Sequence, residues 1–406
     1  MLLVVTPISR LVNLCNAQRT ESAWIFAFNH GIDDQQSVNI LVQDLITNCT
    51  PEPPNAEIPL LPLFFPPSVE LAICPGVPNP LTLLWSIYQL FNSLCFASTV
   101  PKQLRQRIKR NPEMYKRFTD PDQRSTFCEF ISLNSNQTSH MVQRSKEKGV
   151  SVTHTVSAAV LIATALLLQQ NTEEQEGKEG RAIDLDDLTL RFLLSVGLRP
   201  YGVGKADGLD WTGGTVACAG GAIDYIIRLQ SDSYAPFVPF FTGLEDNSTT
   251  TTSSSSSNKS GPAFPPIITV PDSFWTTAKQ SQELSRALIK LGFVPESMRL
   301  FNLGMDLVDI LQAVELEARN PSSLGRGFTC GVSSVGVVSF TPANGLAVKE
   351  VYYGTSHGRN GVTCLLSCLT VNKDTFTGCL QFPAPIVDRS TAKRVRQTIE
   401  AILSNL

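Results

Sequence analysis

The sequence has few charged residues and no excess of basic ones. Charged side chains make up 17% of the 406 residues, and the formal net charge is −3. A nucleic-acid partner therefore has no electrostatic support, because such binding depends on clustered Lys and Arg. The sequence also lacks a P-loop, a Rossmann glycine pattern and the ligand spacing of a zinc site. We therefore expect no metal ion and no tightly bound nucleotide cofactor.

A disulfide framework and a secretion signal are also missing. The ten cysteines are scattered, and Cys364 and Cys368 form the nearest pair. On a strand these two would face the same side, which indicates apolar filling more than metal ligation. The apolar run Met1–Val5 is too short for a signal peptide and has no basic lead. We therefore expect reduced thiols and a cytoplasmic protein.

Leu81–Val100 is the one stretch near the length of a membrane span. It contains Gln89 and Asn92, so an amphipathic helix is the simpler prediction. Peripheral contact with a membrane stays open as an alternative.

Strands and helices alternate in both halves of the chain, which predicts a mixed α/β fold. The spacing of apolar residues predicts helices at 38–46, 274–291 and 305–317, a helix capped by Ser151 or Thr153, and a closing helix from Ser390. Predicted strands cover 24–28, 188–198, 328–340, 346–353, 362–371 and 376–382, with a turn at 372–374. The Ser/Thr run at 249–257 cannot bury apolar surface, so a disordered loop is expected near 245–262.

His30 lies where the first of these strands stops and a helix is about to begin. A strand end holds a side chain rigidly at the rim of a sheet, where a substrate can reach it. An imidazole there can accept a proton at neutral pH. Asp34 follows four residues later and can fix its surroundings. The simpler alternative is a histidine whose ring is satisfied by the local backbone.

The segment Phe28–Asp34 resembles the His-x-x-x-Asp motif of coenzyme-A-dependent acyltransferases of the chloramphenicol-acetyltransferase type. Three further segments occur in the order of that superfamily. They are Lys148–Thr153, Ser195–Pro200 with its Leu-Arg-Pro sequence, and Gly331–Gly336 with its Val-Ser-Ser-Val-Gly sequence. Within the superfamily, the chain most resembles the fungal-type alcohol acetyltransferases.

The resemblance implies roles for individual residues. His30 takes the role of general base, and Asp34 pairs with Arg199 to hold the loop. Thr215 is a candidate oxyanion donor, and Ser334 is a candidate lining residue of the substrate tunnel. An ordinary charge on an edge strand at Arg199 and a plain glycine-rich turn at Thr215 remain the simpler alternatives. The basic residues between Lys102 and Arg117 line a solvated surface or contact the phosphates of coenzyme A.

The resemblance also implies two lobes. We expect residues 1–170 to form the first lobe, 171–187 a crossover linker and 188–406 the second lobe. Only 29 residues precede His30, fewer than in the superfamily, and they offer one further strand at most, through Met1–Val5. The first lobe is therefore expected to be incomplete at its N-terminal side.

The function that follows is transfer of an acyl group, acetyl by preference, from coenzyme A to an alcohol. Acyl-CoA is then a co-substrate, and no covalent enzyme intermediate is required, which agrees with the missing Gly-x-Ser-x-Gly elbow. Two alternatives stay open. One is a catalytically inactive family member that binds or scaffolds, and the other is a carrier-dependent condensation enzyme that forms amides. Asn29 stands where some branches have a second histidine, which argues against condensation.

Overall fold

The computed structural model confirms a mixed α/β fold. It describes residues 10–15, 22–27, 35–48, 79–81, 83–84, 112–120, 123–176, 188–201, 220–244, 268–296, 299, 312, 315–316, 318–320, 323–356 and 361–406. Its eight strands within these ranges are β1 (Arg10–Cys15), β2 (Ser22–Ala27), β3 (Ser125–Leu133), β4 (Leu188–Gly197), β5 (Gly220–Leu229), β6 (Phe328–Val338), β7 (Val362–Val371) and β8 (Thr375–Ala384).

The helices in the same part of the chain are α1 (Gln35–Asn48), α2 (Pro112–Thr119), α3 (Ser135–Glu147), α4 (Val152–Glu176), α5 (Ser231–Tyr234), α6 (Val238–Gly243), α7 (Asp272–Lys290) and α8 (Arg389–Ser404). Short 3₁₀ turns lie at Arg199–Tyr201 and Ala235–Phe237. Among the described helices, none alone has the length and apolar character of a membrane span. Of the described helices, α3 and the first part of α4 reach that length and apolar character only when they are taken together. These two helices are bent by 100° against each other.

Six strands form one sheet in the order β3-β8-β7-β6-β4-β5. The pairs β4–β6 and β6–β7 are parallel, and the other three are antiparallel. β1 and β2 form a separate antiparallel pair. β3 comes from the predicted first lobe but bonds to β8 of the predicted second, and the division of the chain at residue 170 stays a prediction.

One face of the six-stranded sheet, which we call the helical face, carries α3, α4, α7 and α8. The centre of this layer is α4, whose side chains from Val156 to Leu168 are buried. Its entry is set locally. Asn134 and Gln137 form a capping box at the start of α3, and Gly149 with φ +71° ends that helix, a conformation that favours glycine. The Lys148–Thr153 segment is therefore the corner between α3 and α4.

The opposite face of the sheet, which we call the open face, is crossed by α1 and by residues 340–356. A small apolar cluster joins Ile46 of α1 to Phe340, Leu369 and Val371. The predicted strand at 346–353 is wrong, because this segment has no ladder partner beyond one bridge between Ala343 and Leu346. Side chains anchor it instead.

Those anchors explain why an apolar, β-branched segment does not form a strand. The Thr377 hydroxyl donates to the Val351 carbonyl, the Asn372 amide donates to the Val348 carbonyl at 3.4 Å, and the Tyr353 hydroxyl donates to the Ser333 carbonyl at 2.5 Å. The segment thus lies flat on the sheet and does not extend it.

The other predicted elements that can be compared agree within a few residues. The first strand covers Ser22–Ala27 and its partner Arg10–Cys15 was not predicted; Met1–Val5 lies outside the described residues. The turn at 372–374 is confirmed: Asn372 and Lys373 both have positive φ, as a tight hairpin turn requires. β3, α3 and β5 were not predicted. The proposed helix at 305–317 and the Ser/Thr-rich loop lie largely or wholly outside the described residues.

Candidate active site

Arg199 is buried at the point where β4 ends. The chain leaves β4 at Gly197 and turns through the 3₁₀ segment Arg199–Tyr201, in which Pro200 supplies a fixed φ. Arg199 is only 5% exposed, and its Nη2 donates a hydrogen bond to Oγ of Ser37 at 3.0 Å. Ser37 itself is fully buried. A guanidinium from the end of β4 thus holds the first turn of α1.

The other end of α1 is held by the chain that follows β6. Gln43 accepts from the Thr341 amide at 2.8 Å and donates to the Thr341 carbonyl at 3.2 Å. The Asn344 amide donates to the carbonyls of Ile46 and Thr47 at 3.1 and 3.0 Å. These bonds satisfy carbonyls that a helix end leaves without partners. Both ends of α1 are therefore tied to the sheet that contains β4 and β6.

The two motif residues immediately precede this anchored helix. His30 and Asp34 lie outside the described residues, so the predicted contact between Asp34 and Arg199 stays a prediction. Thr215 also lies outside them. The structure does describe Arg199, the proposed partner of Asp34. Arg199 is buried and bonded to Ser37, which follows Asp34 by three residues.

Ser334 lies on the helical face of β6, directly before a bulge at Gly336. Its Oγ accepts a hydrogen bond from the Thr153 hydroxyl, in the first turn of α4, at 3.1 Å. Across the ladder it pairs with Cys368, whose pKa burial raises to about 12. Two segments that the motif comparison selected separately, Lys148–Thr153 and Gly331–Gly336, therefore meet in this bond.

A line of polar groups on the open face was not found from the sequence. Gln381 donates to Ser367 Oγ at 2.9 Å and accepts from the Thr355 amide at 2.9 Å. The buried Thr363 hydroxyl has no hydrogen-bond partner among the described residues. The sequence signal was present: Thr363 and Ser367 on β7, and Thr377 and Gln381 on β8, are each an even number of positions apart, which places them on one face of the sheet.

His154 is a buried histidine that sequence reasoning missed. Its Nδ1 lies 2.7 Å from Ser151 Oγ and its Nε2 lies 2.7 Å from Ser285 Oγ. Burial, with the neighbouring positive charge of Arg286, lowers the pKa of His154 to about 4. A neutral ring with both nitrogens bonded connects the start of α4 to α7 on the helical face.

Metal and coenzyme sites have less support. The described residues contain no group of three or more His, Cys, Asp or Glu side chains able to hold a metal ion. Of the basic stretch between Lys102 and Arg117, only Lys116 and Arg117 on α2 have described side chains, and both are exposed. The contact of this stretch with coenzyme A phosphates stays a prediction.

Comparison with known proteins gives a likeness of fold only. No family model and no curated protein matches the chain. Polyketide synthase associated protein 5 from Mycobacterium tuberculosis is a similar solved structure, with 12% identity, 97% of this chain and 76% of that chain covered, and a TM-score of 0.47. A trichothecene 15-O-acetyltransferase from Fusarium sporotrichioides also has 12% identity and a TM-score of 0.47, with 95% and 66% covered.

The condensation domain of the monacolin K polyketide synthase has 10% identity, 97% and 71% covered, and a TM-score of 0.42. At such identities and TM-scores the likeness assigns no substrate, cofactor or residue role to this chain.

Proposed function

We propose that the chain is an acyltransferase that moves an acyl group, by preference acetyl, from coenzyme A to an alcohol. The observation that carries the proposal is the hydrogen bond between Arg199 and Ser37. The motif resemblance assigns Arg199 to hold the loop that begins at His30. A buried guanidinium bonded to the first turn of the helix after that loop is the arrangement that this role requires.

We propose that Asp34 contacts the same guanidinium. Three residues separate Asp34 from Ser37 along the chain, a step of at most about 11 Å between Cα atoms. An arginine has five donors in a planar fork and can serve a hydroxyl and a carboxylate together. In this proposal Asp34 takes the second side of the fork and so positions His30, without contacting the substrate.

His30 then acts as the only base. It accepts the proton of the acceptor hydroxyl as the oxygen attacks the thioester carbonyl, and it returns that proton to the departing coenzyme A thiolate. The carbonyl oxygen gains negative charge in between and needs donors. Thr215 and Ser334 are the proposed donors or lining groups. The Ser334 hydroxyl accepts from Thr153 and also bonds to the Cys368 side chain.

An assay with purified protein tests the proposal. Acetyl-CoA and longer acyl-CoAs are incubated with a mixture of primary and secondary alcohols, and esters and free coenzyme A are measured by mass spectrometry. We expect an ester and an equal amount of free coenzyme A, both absent after heat inactivation. Neither product with any donor and alcohol would overturn the proposal.

The same assay, extended by a binding measurement and a carrier-bound acyl donor, separates the two alternatives. An inactive binding protein would give no ester but would bind acyl-CoA or an alcohol in calorimetry. A condensation enzyme would form an amide from an amine only when the acyl group is supplied on a carrier protein. Secondary metabolism is the setting that we propose for all three.

A further inference from the structure

A serine and a histidine at the start of α4 have the geometry of a nucleophile and its base. Ser151 immediately precedes α4 and is exposed, whereas His154 lies in the first turn and is buried. The Ser151 Oγ lies 2.7 Å from Nδ1 of His154, and the His154 Nε2 lies 2.7 Å from Oγ of Ser285 on α7. The imidazole therefore lies between one hydroxyl that solvent can reach and one that is fully buried.

The hydrogen bonds of Ser285 indicate which ring nitrogen of His154 carries the proton. The Ser285 hydroxyl donates its single proton to the Gln282 carbonyl at 3.0 Å. Its oxygen therefore accepts from His154, so the N–H of the neutral ring is at Nε2. The lone pair of Nδ1 then accepts from the Ser151 hydroxyl. This is the tautomer in which His154 can remove the proton of Ser151.

The backbone that carries Ser151 is also held in place. The Gln282 side chain accepts from the Ser151 amide at 2.8 Å and donates to the Gly149 carbonyl at 3.0 Å. A hydroxyl, a base within hydrogen-bonding distance and a third group that orients the base together form the arrangement of an activated nucleophile. Here the three groups belong to Ser151, His154 and Ser285.

The two residues after Ser151 offer donors for a developing negative charge. The first N–H groups of a helix have no intrahelical partner. Within the described part of the chain, the amides of Val152 and Thr153 make no backbone hydrogen bond outside the helix. Amides of this kind can stabilise the oxyanion that forms when a carbonyl carbon is attacked. The chemistry that these groups suit is therefore acyl transfer to the Ser151 oxygen.

We propose that Ser151 is the nucleophile of a second activity, the hydrolysis of carboxylic esters without coenzyme A, and that His154 is its base. In the first step the Ser151 Oγ attacks the ester carbonyl carbon, and its proton moves to Nδ1 of His154. The bond from the carbonyl carbon to the alcohol oxygen breaks, and the departing alcohol takes the proton from Nδ1. Water then attacks the acyl-serine in the same way, which releases the carboxylic acid and restores the Ser151 hydroxyl.

The charge state of His154 sets the expected speed of this reaction. Burial, with the positive charge of Arg286, lowers the pKa of His154 to about 4, so the ring is neutral at neutral pH and can accept a proton. The same two effects oppose the imidazolium that forms as the proton moves, so the base is a weak one. We therefore expect slow turnover, and covalent labelling of Ser151 is the more direct measurement.

The second activity is separable from the proposed acyltransferase site. Thr153 contacts Ser334 on β6, whereas His154 contacts Ser285 on α7. The experiments below contain no coenzyme A and no acyl-CoA. Their outcome therefore does not depend on whether the chain is an acyltransferase.

A fluorophosphonate probe tests for an activated serine. The Ser151 oxygen would bond to phosphorus and displace fluoride, and peptide mass spectrometry reads the labelled site. We expect label at Ser151 in the folded wild-type protein and none after heat denaturation. Ser139 is the internal control, because it is an exposed serine of α3 and should stay unlabelled. No label at Ser151, or equal label at Ser139, would overturn the proposal.

The role of the base is tested with His154→Gln, which keeps a polar side chain but cannot take up the proton. General base catalysis contributes about 10²–10⁴-fold, so the rate of labelling at Ser151 should fall by about that factor. His140→Gln, at an exposed position of α3, is the matched control and should leave the rate unchanged. An unchanged rate in His154→Gln would exclude His154 as the base. The wild-type labelling needs no variant, so a folding failure of His154→Gln leaves the test intact.

A second measurement uses p-nitrophenyl acetate as the ester. Soon after mixing, the wild-type protein should carry an acetyl group on Ser151 and should lose it again as water attacks. Ser151→Ala should carry no acetyl group at this position. No acetyl group on Ser151 of the wild-type protein, or one that persists, would contradict the proposed hydrolysis.

Discussion

Arg199 shows how one residue can carry the argument for a site. Arginine is rarely buried without a partner, because leaving water costs several kcal/mol per ion. At 5% exposure, its cost is offset by the bonds that it makes, one of them to Ser37. Lysine could not reproduce this, since it lacks the planar fork. The position is thus specified by the contact with α1 and not by the general preferences of a strand end.

Replacing Ser37 with alanine should weaken that contact. A buried hydrogen bond to a charged group contributes about 1.5–3 kcal/mol, so Ser37→Ala should lower the free energy of unfolding by about that amount, measured by urea denaturation. Ser139→Ala on α3 is the matched control, because Ser139 is exposed and its loss should have little effect. Equal stability of the two variants would show that the Arg199 bond contributes nothing.

Replacing His30 with alanine tests the proposed base. General acid–base catalysis by one side chain contributes about 10²–10⁴-fold, so His30→Ala should lower turnover by that factor with little change in stability. His140→Ala is the control, since His140 is exposed on α3. Near-normal turnover in His30→Ala would eliminate the single-base mechanism while leaving the fold unaffected.

At the scale of the element, the start of α4 is a polar corner inside an apolar layer. Ser151, His154 and Ser285 form a chain of bonds, and Gln282 adds bonds to the Ser151 amide at 2.8 Å and to the Gly149 carbonyl at 3.0 Å. A buried polar network of this kind rigidifies when every member is satisfied. It sets the angle at which α4 leaves the corner, and so where Thr153 meets Ser334.

The corner should give the stability a pH dependence. The pKa of His154, about 4 in the folded chain and 6.5 ordinarily, means that the unfolded chain binds more protons between these values. Its contribution is therefore complete above pH 6.5 and is lost as the pH falls toward 4. The stability difference between wild type and His154→Gln should shrink from pH 7 to pH 4.5 in urea unfolding. His140→Gln is the control for replacing an exposed histidine. A stability difference between wild type and His154→Gln that stays the same from pH 7 to pH 4.5 would contradict the protonation of His154.

The close approach of β4 to β6 depends on a glycine. A Cβ built at Gly331 would lie 2.8 Å from the Leu193 carbonyl oxygen, which is backbone and cannot move aside cheaply. Gly331→Ala should therefore lower the free energy of unfolding by about 1–3 kcal/mol, the usual cost of overpacking. Gly197→Ala, with open space around its Cβ, is the control for a glycine of β4. Wild-type stability in Gly331→Ala would show that the parallel pair can separate freely.

At the scale of the whole molecule, the first and last parts of the described chain are joined through α1. The bonds from Gln43 to Thr341 and from Asn344 to the end of α1 connect residues almost 300 apart. The same helix reaches the end of β4 at Ser37. One 14-residue helix thus ties the segment after the proposed base to two parallel strands of the sheet.

Asn344→Asp should loosen that tie. The carboxylate keeps the shape of the side chain but cannot donate, and it places a negative charge at the negative end of the α1 dipole. We expect faster amide hydrogen exchange over residues 35–48 with unchanged exchange in β7 and β8. Asn344→Gly is the control, because it tolerates the positive φ of 55° and removes the amide without adding charge, so its effect should be smaller. Unchanged exchange over α1 in both variants would show that the helix is held elsewhere.

Much of the element pattern could be read from local sequence. The strands β6, β7 and β8, the hairpin turn at Asn372 and the long helix α4 follow from apolar period, β-branched content and capping residues, which act over a few positions. The motif order also led to Arg199 and Ser334 before any contact was known. Residues close together in the sequence were enough to predict these features.

Other features were decided only by packing between distant segments. Residues 346–353 have the composition of a strand, yet they lie flat on the sheet. The reason is that Val351 is hydrogen-bonded to Thr377 of β8, and Tyr353 is hydrogen-bonded to Ser333 of β6. The edge strand β3 mixes polar and apolar residues, so its assignment depends on β8 beside it. The burial of Arg199 against Ser37 and the His154 network each join residues far apart in sequence. Local propensity carries no information on such pairs, since they form only when the sheet order brings the segments together.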